Sequence, residues 1–258
     1  MQRVLFHETI FGPIHSRRLG SSLGVNLSPR DGKVCTFDCL YCEAGFNAQG
    51  AGTTGLPPRQ EVKALLEAKL SSMKENGEPL DVITFSGNGE PTVHPEFEGI
   101  VEDTIALRNH YFPEVKISVL CNSTMLNREG VCRALRLVDN NILKLDSALT
   151  KTIHQIDRPV LQSFTAESVI AQIAEFGSQC IVQTMMLRGS YNGETIDNTT
   201  EDEVTALIAA YKRISPREVM LYSIDRKTPA QELEKVSREE LEQIAERIRQ
   251  EGIKVQVS

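Results

Sequence analysis

The sequence predicts an α/β fold in which mostly parallel strands are covered by outer helices. Short apolar segments alternate six times with segments whose apolar residues recur at helical spacing. Two of the helical segments begin with Ser or Thr followed three residues later by Glu, which is typical of a capped helix start. The 258 residues, 40% of them hydrophobic, are enough for one large core. Periodicity alone leaves two arrangements open, a doubly wound sheet and a curved, incomplete barrel.

The first half of the chain contains three predicted strands and three predicted helices. The strands are SLGVNLS (22–28), DVITF (81–85) and VKISVL (115–120). The first helix ends at Asn76–Gly77, and its apolar positions are Val62, Leu65, Leu66, Leu70 and Met73. The other two helices cover about 95–110 and about 126–138.

The second half continues the alternation. Its strands are NILKLD (141–146), QCIVQTMML (179–187) and EVMLYSI (218–224). One helix covers 165–176, another begins at Thr200 with Glu203, and the last begins at Ser237 with Glu240. IKVQV (253–257) is a candidate terminal strand. We therefore predict a single domain over 1–258, with a core of about 17–230 and a helix–strand appendage of about 231–258.

Charge and hydropathy narrow the function classes. The net charge is −7, so the chain as a whole has little electrostatic attraction to nucleic-acid phosphates. The N-terminus, MQRVLFHETIFG, has no apolar leader segment, and no stretch approaches the length of a membrane span. We therefore expect a cytoplasmic, reducing compartment, where clustered cysteines are metal-binding or redox-active rather than disulfide-bonded.

Half of the six cysteines lie in KVCTFDCLYCEAG (33–45), at Cys35, Cys39 and Cys42. This loop directly follows the first predicted strand, at the end of a parallel sheet where active sites form. Thiolates suit zinc or an iron–sulfur cluster. A closed zinc site needs a fourth ligand, which the loop lacks, whereas three cysteines on a [4Fe–4S] cluster leave one iron open to a small molecule. Three unrelated buried thiols are the alternative.

The C-x3-C-x-aromatic-C spacing, with Tyr41 as the aromatic residue, resembles the motif of the radical S-adenosylmethionine (SAM) superfamily. FSGNGEP (85–91) at the end of the second strand is similar to that family's Gly-Gly-Glu-Pro motif, and the strand–helix order resembles its partial (β/α)6 barrel. FGPIHSRRLGSSLGVNL (11–27), which includes Arg17 and Arg18, and LDS…IDRP resemble a branch of iron–sulfur oxidoreductases that includes wyosine-forming tRNA enzymes.

The resemblance implies a set of cofactors and of residues that hold them. Cys35, Cys39 and Cys42 match the ligands of a [4Fe–4S] cluster that cleaves SAM reductively, and the 5′-deoxyadenosyl radical then takes a hydrogen atom from the substrate. An electron donor such as flavodoxin or ferredoxin is implied as a partner. The residues matching cofactor-binding positions are Tyr41, Gly87, Asn88, Gly89, Glu90, Asn122 and Ser123. Asn88 separates two glycines that are adjacent in the usual motif.

Other candidates come from the strand pattern. The period of two places Lys144 and Asp146 on one face of the fourth strand, as a catalytic pair or as an internal salt bridge. Gln183 is a candidate cofactor contact on the fifth strand. Cys121 ends the third strand, either as a hydrogen donor to a substrate radical or as a packed thiol.

Three arginines follow strand ends: Arg158, Arg188 and Arg226. Guanidinium groups bind carboxylate and phosphate, so these residues are candidate contacts to an anionic substrate, unless they are ordinary paired surface arginines. A tRNA nucleoside and a small metabolite both fit that class. Two other functions stay open: an activase that installs a radical on a partner protein, and a non-enzymatic zinc- or iron–sulfur-binding module. Oligomeric state is not predicted.

Overall fold

Parallel strands form the centre of the fold in the computed structural model, which describes residues 3–16 and 20–258; Arg17 and Arg18 lie outside the described residues. The strands are β1 (Ile10–Ser16), β2 (Gly20–Val25), β3 (Val82–Phe85), β4 (Lys116–Cys121), β5 (Asn140–Lys144), β6 (Cys180–Tyr191), β7 (Glu194–Asp197), β8 (Glu218–Ser223), β9 (Leu233–Lys235) and β10 (Val255–Val257). The helices are α1 (Arg59–Glu75), α2 (Phe97–Tyr111), α3 (Glu129–Leu137), α4 (Thr150–Ile156), α5 (Ala166–Ala174), α6 (Glu201–Ile214) and α7 (Arg238–Gln250).

The sheet has the order β1-β2-β3-β4-β5-β6-β8-β10 and is not closed. All neighbours from β2 to β10 pair in parallel, and β1 pairs antiparallel with β2. The short strands β7 and β9 pair antiparallel with the long end of β6. This confirms the predicted α/β class with its partial barrel and places the carboxyl ends of β2 to β8 at one edge.

The two faces of the sheet differ in what covers them. On the outer face, side chains such as Val25, Phe85 and Leu143 share one apolar cluster with the helices. On the inner face, Ile142, Ile181 and Met220 form a separate small cluster. Because side chains alternate along a strand, the outer face packs against helices and the inner face is left for a site. No described helix is both long and apolar enough to cross a membrane.

All six predicted strands are present, and the candidate terminal strand is β10. The prediction missed β1, whose IFGPIHS segment contains a Gly–Pro pair, and the seven-residue helix α4. It also missed the short strands β7 and β9. Asn192 and Gly193 both have positive φ and turn β6 back into a hairpin with β7.

Candidate cofactor site at the carboxyl ends of the strands

The cysteine loop follows β2 and is fixed to the rest of the chain by its backbone. The N–H groups of Asp38 and Leu40 donate to the carbonyls of Asp157 and Ile156, each at 2.9 Å. Within the loop, the Cys42 N–H donates to the Cys39 carbonyl at 3.2 Å. The loop is therefore held against the end of α4 before any metal binds.

The thiols of the loop lie close enough to influence one another. Burial raises the pKa of Cys35 to about 12, Glu90 raises it further, and Lys33 opposes the rise. Burial also raises the pKa of Cys39 well above its usual value, against the effect of Lys144. Charge on Cys42 contributes to both shifts. Thiols of this kind keep their protons until a cation displaces them, so metal loading is coupled to proton release.

The donor set fits an iron–sulfur cluster. Three thiols on one loop suit a soft metal group, and the cationic Lys33 and Lys144 near Cys35 and Cys39 compensate thiolate charge. Among residues 3–16 and 20–258, no three or more His, Cys, Asp and Glu side chains are arranged to hold a single metal ion. A cluster differs from a single ion because it distributes its thiolates over separate iron atoms.

The Gly-Asn-Gly-Glu-Pro segment after β3 lies directly beside the cysteine loop. Gly89 forms an isolated parallel bridge with Val34, and the Glu90 N–H donates to the Val34 carbonyl at 3.0 Å. A Cβ at Gly89 would lie 1.9 Å from that carbonyl oxygen, so only glycine allows this approach. The motif and the cysteine loop are thus joined by backbone pairing.

Asn88 binds the chain's own N-terminal segment. Its side-chain Oδ1 accepts from the Phe6 N–H at 2.8 Å, and its Nδ2 donates to the carbonyls of Phe6 and Pro29 at 2.8 and 2.9 Å. The Asn88 N–H donates to Oδ1 of Asn26, a residue that the sequence reasoning did not single out. Asn88, the extra residue between the two glycines, therefore holds the backbone near Phe6 in place. We call these side-chain hydrogen bonds the Asn88 latch.

Replacing Asn88 with alanine is expected to free this segment. The change removes three hydrogen bonds that are at least partly buried, which should cost roughly 2–4 kcal/mol in total. Hydrogen exchange measured by mass spectrometry should accelerate at least about tenfold in a peptide covering 3–16. Asn109→Ala on the exposed face of α2 is the matched control. Unchanged exchange in Asn88→Ala would show that other contacts hold the segment.

Glu90 and Asn122 connect the motif to the cysteine loop. The Glu90 carboxylate accepts from the N–H groups of Thr92 and Asn122 at 3.1 and 2.7 Å. Burial raises its pKa, and these hydrogen bonds oppose the rise. The Asn122 Nδ2 lies 3.6 Å from the Cys35 sulfur and 2.9 Å from Thr36 Oγ1. Asn122 thus orients the first cysteine, and Ser123, at φ 67°, donates from its hydroxyl to the Lys144 carbonyl.

Lys144 is the centre of a buried charge cluster, which consists of Lys144, Asp146, Asp157, Tyr41 and Cys39. The lysine Nζ lies 2.9 Å from Asp146, 3.0 Å from Asp157 and 3.6 Å from the Cys39 sulfur. The Tyr41 hydroxyl hydrogen-bonds with both Lys144 and Asp146. Both predicted strand positions therefore face the site, on the side opposite Leu143 and Leu145.

Asp157 is a site residue that the sequence reasoning missed. It directly precedes Arg158 in the IDRP segment, from which only the arginine was predicted as a site residue. Burial raises the pKa of Asp157 to about 7, and Lys144 opposes that rise. Burial would lower the pKa of Lys144, but Asp146 and Asp157 together raise it well above its usual value. The cluster therefore keeps a lysine cation beside Cys39.

Cys121 lies on the outer face of β4. It belongs to the apolar cluster beneath the helices, and its sulfur accepts from the Ser123 N–H at 3.3 Å. The backbone of the strand separates it from the inner face. Of the two readings of Cys121, a packed thiol and a hydrogen donor to a substrate, these surroundings favour the packed thiol.

Two of the three candidate arginines reach the cysteine loop. Arg158 pairs with Asp38 at 3.2 Å and covers the Phe46 ring at 5.0 Å. Arg226 pairs with Glu43, the residue after Cys42, at 2.6 Å. Both guanidinium groups are partly exposed, so each ion pair is open to exchange with another anion.

Arg188 does not lie at the cysteine loop. Its guanidinium pairs with Glu240 of α7 at 2.8 Å and donates to Thr199 at 2.9 Å. Because Leu187 packs with inner residues such as Met185, the alternation along β6 places Arg188 on the opposite face. Of the three predicted substrate arginines, two therefore lie at the cysteine loop, Arg158 and Arg226. Gln183 lies on the inner face of β6, in register with Lys144 of β5.

Comparison with known proteins gives one family match over most of this site. The family model described as "Radical SAM superfamily" matches residues 31–202. The chain is 32% identical over 229 residues to the UPF0026 protein of Synechocystis, covering 86% of this chain and 77% of that protein. It is 27% identical over 219 residues to a UPF0026 protein of Helicobacter pylori, covering 84% of this chain. It spans 66%, slightly less than two-thirds, of that relative's length.

Solved structures resemble the fold. A radical SAM methyltransferase from Sphaerobacter thermophilus has a TM-score of 0.66 at 15% identity, covering 92% of this chain and 65% of that one. TYW1 with a lysine-pyruvate adduct bound has a TM-score of 0.60 at 13% identity, covering 90% of this chain and 75% of that one. At these identities the likeness is one of fold alone.

Proposed function

This chain belongs to the radical SAM superfamily and, within it, to the UPF0026 proteins, and on that premise we propose that Cys35, Cys39 and Cys42 ligate its [4Fe–4S] cluster. The family's cofactors are this cluster and SAM. One observation carries the assignment. Three thiols share a loop that is paired to the Gly-Asn-Gly-Glu-Pro segment and contacted by Asn122 and Lys144.

The residues around the cofactors have separable roles in the proposal. When bound, the cluster and SAM supply a 5′-deoxyadenosyl radical that abstracts a hydrogen atom from the substrate. Asn122 orients the Cys35 sulfur, and Lys144 places a positive charge beside the Cys39 sulfur. Backbone groups of Gly87 to Glu90 remain the candidate contacts to SAM, since the Asn88 side chain is engaged elsewhere. A low-potential donor such as flavodoxin or ferredoxin would supply the electron.

We propose an anionic substrate, in the range from a small metabolite to a tRNA nucleoside. Arg158 and Arg226 support this class because both lie at the cysteine loop with partly exposed guanidinium groups. An exposed pair such as Arg226–Glu43 contributes little to stability, so a substrate carboxylate or phosphate can replace Glu43 at small cost. The net charge of −7 makes local arginines, rather than the overall field, the source of recognition.

The test of this function is anaerobic reconstitution with iron and sulfide. The protein should bind about four irons per chain and form 5′-deoxyadenosine from SAM when dithionite is added. Total tRNA and a low-mass metabolite fraction are then compared for their ability to stimulate that reaction. Fully reconstituted protein that forms no 5′-deoxyadenosine under any of these conditions would refute the proposal.

The double variant Arg158→Gln, Arg226→Gln is expected to raise KM for the substrate fraction that stimulates the wild type. Loss of charge-assisted hydrogen bonds predicts an increase of about tenfold or more, with a much smaller change in kcat. Arg249→Gln, whose arginine pairs with Glu242 on α7, is the control and should keep the wild-type KM. A KM unchanged in the double variant would remove the support for an anionic substrate at this position.

A further inference from the structure

A cavity of about 150 Å³ lies on the inner face of the sheet, below the buried charge cluster. No charged residue is among the described residues that line it. Its walls are Phe6, Phe11, Ile14, Ser22, Gly24, Thr84, Ser86, Leu120, Ile142, Gln183 and Met220. A cavity of this volume is large enough for one six-membered ring.

The N-terminal segment forms one wall of the cavity and is fixed in place. The Phe6 and Phe11 rings stack with centroids 3.8 Å apart and an interplanar angle of 18°. Phe11 covers Gly24 so closely that a Cβ there would lie 2.1 Å from the ring. The Asn88 latch holds the backbone of Phe6. The aromatic wall is therefore positioned by contacts from two strands and one motif.

Gln183 supplies the only amide side chain among the lining residues, and Ser22, Thr84 and Ser86 add hydroxyl groups. The residue is only 9% exposed, and it lines this cavity. The other nearby polar pair is already matched, because the hydroxyls of Ser22 and Thr84 lie 2.8 Å apart. The Gln183 amide therefore lies beside an open volume in which a ligand can hydrogen-bond with it.

We infer that this cavity binds an uncharged planar ring of the substrate, whose edge carries an adjacent hydrogen-bond donor and acceptor that pair with the Gln183 amide. The inference rests on the proposed function and specifies its substrate: a ring in the cavity, with the anionic group at Arg158 and Arg226. An amide offers both a donor and an acceptor, so it selects a lactam-like or amide-bearing edge over a purely apolar or a charged one. The cavity adjoins the charge cluster because Gln183 is in register with Lys144.

The test uses three ring probes on anaerobically reconstituted protein: benzamide, benzoate and toluene. Ligand-observed NMR titration should give benzamide an affinity at least about tenfold above that of benzoate, because a carboxylate loses its hydration in this uncharged cavity. Benzamide should also bind more tightly than toluene. Equal affinity for benzamide and benzoate would overturn the inference, and this comparison needs no variant.

Variants then test whether the Gln183 side chain makes the contact with benzamide. Gln183→Leu should weaken benzamide binding at least about tenfold, because both hydrogen bonds to the Gln183 amide are lost, and leave toluene binding within about twofold. Ile142→Phe should fill the cavity and abolish binding of all probes. Gln243→Leu, on the exposed side of α7, should change nothing. Undiminished benzamide binding in folded Gln183→Leu would overturn the role of the glutamine.

Two further measurements distinguish a failure of this inference from a failure of the proposed function. Saturating SAM should leave benzamide affinity unchanged; if SAM displaces benzamide, the cavity receives the adenine ring of SAM and the inference about the substrate is wrong. Formation of 5′-deoxyadenosine by the wild type without any probe reports on the proposed function alone. A protein that cleaves SAM and treats benzamide and benzoate alike would keep the function and lose the inference.

Discussion

Replacing Cys35 with alanine is expected to abolish both the iron–sulfur cluster and the cleavage of SAM. With two thiolates left, the loop cannot hold three irons, and the remaining donors near it are carboxylates and amides that suit harder metals. Reconstituted Cys35→Ala should show less than about a tenth of the wild-type absorbance near 400 nm and no 5′-deoxyadenosine above background, since the cluster is the source of the electron.

Cys132→Ala is the matched control for this variant. Cys132 is a half-buried cysteine on α3 whose sulfur donates to the Leu126 carbonyl, apart from the cysteine loop. It should keep its iron content and its SAM cleavage. If Cys35→Ala retains a full complement of iron, or if Cys132→Ala loses it, the three-cysteine ligand set is wrong.

Replacing Lys144 with methionine is expected to produce the largest loss of stability. The side chains of Asp146 and Asp157 are 0% and 2% exposed, and the variant would leave both carboxylates in the interior without their lysine partner. Breaking a buried ion pair from one side costs about 3–5 kcal/mol. Urea unfolding of the cluster-free protein should show this decrease in the free energy of unfolding, provided that the transition is two-state.

Two controls define the origin of the effect. Lys254→Met removes a lysine that is 74% exposed and paired with Glu218, and it should change stability by less than about 1 kcal/mol. Combining Lys144→Met with Asp157→Asn should recover part of the loss, because one uncompensated charge is removed. A Lys144→Met protein as stable as Lys254→Met would mean that water reaches the charge cluster and compensates the acids.

The secondary structure and the cofactor chemistry could be predicted because both depend on local pattern. Buried parallel strands such as VKISVL are continuous apolar runs, and helix starts such as Thr200 with Glu203 carry their own capping groups. The cysteine spacing lies within eight residues and needs no tertiary information. Period-two alternation likewise predicted that Lys144 and Asp146 share a face, away from Leu143 and Leu145.

The partners of these residues could not be predicted, because they come from distant parts of the chain. Asp157 reaches Lys144 through the position of α4, a helix too short to give a clear periodic pattern. Asn88 is read as part of a cofactor motif, yet its side chain binds Phe6, 82 residues away. Arg188, like Arg158, was predicted as a substrate contact because it follows a predicted strand end, but it pairs with Glu240. Adjacent residues of β6 point to opposite faces of the sheet, so Arg188 points away from the inner face.

The Asn88 latch also constrains the order in which the chain can assemble during synthesis. Phe6 is made 82 residues before the side chain that receives it. At typical translation rates of about 5–20 residues per second, the ribosome needs roughly 4–16 seconds to cover that interval. Throughout that time Phe6 and Phe11 have neither their latch nor the later strands of the inner face. The segment around Phe6 can thus dock only after Asn88 has been made, and its two aromatic side chains stay accessible to chaperones until then.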